Sequence, residues 1–294
     1  MKRLNILTIV CLLFAGILSG QTEKTIKLIP NWTKGDIKRF EITNSTNVVS
    51  DEITQTKSLT TKTVTLQVVN VRNKTSEIEW KYENLTFSDT ISNKNPLSVL
   101  MNELDKGLTV KYTINSNGTI KSINNYDEIS AKIKSKVDSA LQLLSKNEKI
   151  DSSRMKMIKF QYSMMFSSTQ QIDLIVLNDI FKFHQLYGYS YRSDKITSIE
   201  DKMFAPQMSG PSDRLEMKLD SIDTDKQLYY LKGELRSPFL EKYMKEDIKD
   251  RSIKRVYVFK YPENWLVEYD DILTTGGSET PIKFDSNFKI RMIK

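Results

Sequence analysis

A period of two in the hydrophobic pattern constrains this chain more than any other feature. Residues 77–83 read Glu-Ile-Glu-Trp-Lys-Tyr-Glu, a strict alternation of charged and apolar side chains. Successive side chains of a strand point to opposite faces, so this segment is a strand with one wet face and one buried face. The signature recurs. Val64, Leu66 and Val68 share one side of 59–71, and Leu108, Val110, Tyr112 and Ile114 share one side of 108–114. Leu215, Met217 and Leu219 alternate, and Asp223-Thr224-Asp225 turns the chain into 228–235. Ile253, Arg255, Tyr257 and Phe259 alternate, Pro262-Glu263-Asn264 turns, and Trp265, Val267 and Tyr269 follow. Ile282, Phe284, Phe288, Ile290 and Met292 form a last strand. An opening pair of strands is predicted at 25–29 and 37–49 around the turn at 31–36. Asn117-Gly118 predicts a tight hairpin from 108–114 into Ile120–Ile123, because both residues tolerate positive φ.

The middle of the chain changes period. After Asn124 or Asn125 as cap, with Asp127 and Glu128 in the first turn, Ile129, Ile133, Val137, Ala140, Leu141 and Leu144 recur at helical spacing. A second helix is predicted from Ser152 to Phe166, and a third from Thr169 to Tyr187. Ser167 or Ser168 would cap the third helix and Gly188 would end it, although its all-apolar stretch Leu174–Leu177 also suits a strand. Short helices are predicted at Pro96–Leu104 and from Ser237-Pro238 to about Lys249. Residues 108–147 and 214–249 are each a hairpin followed by a helix, a weak internal echo. The expected fold class is α+β: one large, curved antiparallel sheet, a partial barrel, with the 125–188 helices on one face.

The first residues have a separate purpose. Met1-Lys2-Arg3 are positive, Leu4 to Leu18 are apolar apart from Asn5, Thr8 and Gly16, and small Ser19-Gly20 precede polar Gln21. That order is a secretory signal peptide over residues 1–20, leaving 21–294 as a single exported domain, periplasmic or extracellular. The apolar run is short for a membrane span, which needs ~20 residues, and no later run approaches that length. A cut after Gly20 places Leu18 where a small residue is usual. Cys11, the only cysteine, leaves with the leader, and no small residue precedes it as a lipidation site would require. The processed chain would have no disulfide and no thiolate metal site, so core packing alone must hold it. Removing Lys2 and Arg3 lowers the formal charge of +7 by two, and the residual basicity favours anionic surfaces. No dense Lys/Arg tract interleaves with aromatics, which argues against nucleic acid.

Chemistry-bearing patterns are sparse. His184 is the only histidine, so any Ser-His-Asp or Cys-His machine must use it. No Gly-x-Ser-x-Gly elbow and no glycine-rich phosphate loop occurs. Asp270-Asp271 are adjacent, but neighbours on a strand face opposite ways. No cofactor or metal is expected. Phe181, Phe183, Tyr187, Tyr189 and Tyr191 crowd around His184, and Met155, Met157, Met164 and Met165 form a soft cluster nearby in sequence. Such residues line greasy pockets or simply fill a core where a helix meets a sheet. The candidate ligand-binding set is Phe183, His184, Tyr187, Tyr189, Tyr191 and Met164.

The leader, the Lys34-Gly35-Asp36 turn, the hairpin carrying Ser116-Asn117-Gly118-Thr119-Ile120-Lys121-Ser122-Ile123 and the segment Phe183-His184-Gln185-Leu186-Tyr187-Gly188 resemble uncharacterised exported proteins of Bacteroidota, described only as domains of unknown function. The layout is also similar to periplasmic lipid-carrier folds, in which a curved antiparallel sheet holds helices against its concave face. That resemblance implies a fold and no catalytic residue. The leading expectation is non-enzymatic binding of an apolar, lipid-like ligand or an envelope partner. The alternatives are a carboxylate-dependent envelope hydrolase, needing two acids facing one cleft, and a purely structural interaction domain.

Overall fold

The computed structural model describes residues 24–50, 54–89, 100, 104–146, 152–166, 168–201, 213–236, 252–275 and 282–294. The leader and most of the helices expected at 96–104 and 237–249 lie outside the described residues. The strands before the helices are β1 (Thr25–Lys27), β2 (Ile37–Ser50), β3 (Thr54–Arg72), β4 (Thr75–Asp89), β5 (Thr109–Asn115) and β6 (Ile120–Ile123). The helices are α1 (Tyr126–Ser145), α2 (Ser152–Met165), α3 (Thr169–Ile175) and α4 (Asn178–His184). After them come β7 (Ser190–Arg192), β8 (Thr197–Asp201), β9 (Asp213–Asp223), β10 (Leu228–Arg236), β11 (Ser252–Lys260), β12 (Trp265–Thr275) and β13 (Ile282–Ile293). Among the described residues no helix is long and apolar enough to cross a membrane.

Eleven strands form one open antiparallel sheet in the order β6-β5-β4-β3-β2-β13-β12-β11-β10-β9-β8. The last strand joins the two halves by pairing with β2, Ile290 opposite Ile42. The predicted opening pair is corrected here: β1 pairs with β7, Ile26 opposite Tyr191, and not with β2. The segment between β1 and β2 crosses the end of the sheet instead. Asn31 N–H donates to Glu263 O, and Gly35 N–H donates to Val68 O. This crossing drives Trp32 into the interior, where it stacks on Trp265 with centroids 4.2 Å apart.

The curvature follows from the contacts of one short helix. Side chains of α4 and its next residue, Gln185, meet Tyr112 of β5, Trp80 of β4, Lys62 of β3, Phe40 of β2, Phe288 of β13, Asp271 of β12 and Tyr257 of β11. These seven strands are consecutive in the sheet. Laid flat they would span ~29 Å at ~4.8 Å per strand, whereas a helix with its side chains is only ~10–12 Å across. The sheet therefore curls around α4 as an open half-barrel.

The third predicted helix is two. Val176 N–H and Leu177 N–H both donate to the Ile172 carbonyl, which ends α3, and the chain restarts as α4. No strand forms at 174–177. The break lets α4 bury Ile180 and Phe183 while turning Asp179 and Lys182 toward a cleft. At the N-terminus of α3, the Ser168 hydroxyl accepts from Gln171 N–H, as a cap should.

Candidate functional site

Most of the candidate set is sealed core. Phe183, His184, Tyr187 and Tyr191 are buried, whereas Tyr189 is partly exposed. Trp32 lies edge-on to His184 and Tyr187, and Phe183 packs edge-on against Phe40 and Trp80. Met164 stands apart from this group, on the exposed side of α2. The aromatic concentration is what a helix inside a curled sheet requires: large side chains filling the space between α4 and seven strands.

His184 shows how completely that space is used. Its Nδ1 lies 2.9 Å from Gly118 O, and its Nε2 lies 2.9 Å from the Tyr112 hydroxyl. A carbonyl can only accept, so Nδ1–H donates and Nε2 accepts from Tyr112 O–H. Burial pushes the ring's pKa down to about 3, the Gly118 bond opposing only in part. This is a neutral, saturated imidazole with neither nitrogen left for a nucleophile or metal.

A polar cleft of about 300 Å³ opens beside α4, on the concave face of β2, β3, β12 and β13. Lys62 Nζ lies 2.5 Å from Asp105 Oδ2 and 3.0 Å from Asp179 Oδ2. Tyr82 O–H donates to the same Asp179 oxygen at 3.3 Å. Burial pulls the Lys62 pKa down, but the charges of Asp179 and Asp105 override it and raise it above the ordinary lysine range. Burial raises Asp105, an effect Lys62 offsets only in part and Asp179 reinforces. Across the cleft, Asp271 pairs with Lys182 at 3.5 Å and with the buried Arg255 at 3.3 Å, and accepts from Tyr269 O–H at 2.9 Å. Burial lowers the Lys182 pKa, and Asp271 counters it. Lys182 Nζ also sits 3.8 Å from the Phe288 ring centroid. Three cations face three anions in this network, each with a partner.

The alternation held a signal for this cluster that residue type obscured. Lys62 falls in phase with Val64, Leu66 and Val68, Arg255 with Ile253, Tyr257 and Phe259, and Asp271 with Tyr269. A charge on the buried phase of a strand is a buried charge, and it must find partners inside. Asp270, on the other phase, pairs with Lys289 at 2.9 Å.

The helical layer holds a cavity of a different character. About 660 Å³ lies between α1, α2 and α3, lined by Ile133, Val137, Leu141, Tyr162, Phe166 and Ile172, with Lys134, Asp138 and Lys159 on its polar side. Neither cavity is lined by a residue of the candidate set.

The sequence matches no protein-family model and no curated protein. Among solved structures, the fold is similar to that of lipovitellin, in a structure concerned with lipid–protein interactions in lipovitellin. The TM-score is 0.50 at 8% identity, and the match covers 90% of this chain but 26% of that one. The chain thus spans about a quarter of lipovitellin's length, and the likeness is one of fold alone. DynF, from the dynemicin biosynthesis pathway of Micromonospora chersina, aligns over 92% of this chain and 86% of its own at 4% identity, but with a TM-score of 0.20 that carries no argument.

Proposed function

We propose that this chain is an exported, non-enzymatic carrier of an apolar, single-chain amphiphile held between α1, α2 and α3. The observation that carries the proposal is the cavity of about 660 Å³, within the usual range for small-molecule sites. Its Ile, Val, Leu and aromatic lining suits an acyl chain, and its charged residues, Lys134 and Lys159 against the single acid Asp138, favour an anionic head group. The lipovitellin likeness supports the reading, since that structure is described by its lipid–protein interactions. The leader at 1–20 would deliver the carrier across the membrane.

The test is uptake of the fluorescent fatty acid cis-parinaric acid by delipidated protein, with Val137→Phe as the cavity-filling variant. Saturable binding that weakens at least tenfold in the variant, with an unchanged far-UV CD spectrum, is expected. Absence of saturable binding by the wild type refutes the reading.

An acid–base reading has one observation in its favour, the raised Asp105 facing Asp179 in the polar cleft. Both acids bind Lys62, however, and a shared ammonium holds each oxygen as an acceptor. The network reads better as the tie that fixes α4 inside the sheet.

A further inference from the structure

The outer face of α2 carries three exposed large apolar side chains. Phe160 is 64% exposed, Met157 56% and Met164 51%. At ~100° per residue these positions fall within one arc of about 60°. Met155, Ile158 and Tyr162 occupy the opposite arc and face the protein interior. The helix is thus apolar on two sides. Its charged residues are Arg154, Lys156 and Lys159, with no acid in the helix. Lys156 and Arg154 lie on the two flanks of the exposed stripe. An aqueous surface does not need a phenylalanine and two methionines aligned in water between two cations.

We infer that α2 is a docking helix for an anionic lipid bilayer surface. Phe160, Met157 and Met164 enter the head-group and acyl boundary, while Lys156 extends its aliphatic stem along the apolar stripe and places its charge at a lipid phosphate. The match of charge selects the occupant, because a cationic helix without acids is complementary to an anionic bilayer and repels a second copy of itself. The formal charge, +7 for the whole sequence and two lower without Lys2 and Arg3, acts in the same direction. The same helix walls the apolar cavity through Lys159, Tyr162 and, one residue past its end, Phe166, so docking sets that cavity beside the lipid. The docking inference does not require the ligand reading: surface binding and ligand uptake have different readouts, and either can fail alone.

The test uses the full chain with Cys11→Ser, labelled with the environment-sensitive dye NBD at Phe160→Cys, and with a control label at Lys81→Cys on the exposed face of β4. Vesicles of phosphatidylcholine with 30% phosphatidylglycerol are expected to blue-shift and brighten the dye at 160 several-fold and leave the dye at 81 unchanged. The apolar segment 4–18 is common to both proteins, so adsorption through it cannot give a shift confined to 160. Lys156→Glu in the 160-labelled protein is expected to weaken anionic-vesicle binding about thirtyfold, because reversing one charge near the surface costs twice the contribution of one lysine. The inference is overturned if the dye at 160 is silent, or responds equally to pure phosphatidylcholine. It is likewise overturned if the shift rises with protein concentration without vesicles, which marks a second copy as the occupant.

Discussion

Acid should destabilise this protein through one ring. His184 is buried as a neutral imidazole bonded at both nitrogens, with its pKa at about 3 against an ordinary 6.5. A base whose pKa is depressed by folding binds fewer protons folded than unfolded, so its contribution is fully present above pH 6.5 and is lost as pH falls toward 3. The full loss across that window is about 5 kcal/mol, at about 1.4 kcal/mol per unit. By pH 4.5 the loss is about 3 kcal/mol, a large part of a typical domain's stability of ~5–15 kcal/mol. The assay is urea unfolding followed by tryptophan fluorescence from pH 7 to 4.5, comparing wild type with His184→Gln. Trp32, edge-on to the ring at 5.9 Å, is a built-in reporter. The difference between the proteins cancels the carboxylates they share. The substituted glutamine keeps only part of the bonding, so the variant should lose about 1–3 kcal/mol at pH 7. That gap should then close at about 1.4 kcal/mol per unit below pH 6.5 and reverse near pH 5. A gap that stays constant from pH 7 to 4.5 refutes both the neutral assignment and its energetic weight.

Two further perturbations probe the fold. Lys62→Met leaves Asp105 and Asp179 buried without their cation and should cost about 3–5 kcal/mol in urea unfolding at pH 7, with Asp179→Asn recovering part of the loss; an additive double mutant would deny the network. Gly118 has φ of +89°, and a Cβ there would sit 2.6 Å from Tyr187 Cβ and 2.7 Å from the Pro30 ring. Gly118→Ala should therefore cost about 2–4 kcal/mol, from a left-handed backbone and overpacking together, and a thermal midpoint within a degree of wild type would contradict that geometry.

Much of the architecture was legible because strand and helix periods are local properties. Glu77–Glu83 alternates within β4, and Ile129 through Leu144 marks the buried stripe of α1 almost residue for residue. The site was less legible. Phe183, His184, Tyr187 and Tyr191 are conspicuous in sequence because they are large, and they are large because they fill the space around α4. The charged residues of the cleft come from β3, β11, β12, α4 and the segment before β5, up to 209 positions apart between Lys62 and Asp271. Each is unremarkable among its neighbours in the chain.

Periodicity, turn chemistry and composition were sufficient for most of the antiparallel strands, though not for β7 and β8, and for the Asn117-Gly118 hairpin, the first two helices and the lack of any cysteine after residue 20, because each of these is written in a short stretch of chain. Which strands meet was settled in three dimensions. Packing sent β1 to β7, broke the third helix at Val176-Leu177, and curled seven strands around α4. Strand partners and curvature depend on contacts between residues far apart in the chain, and hydrophobic periodicity carries only the face on which a side chain lies, not the side chain it will meet there.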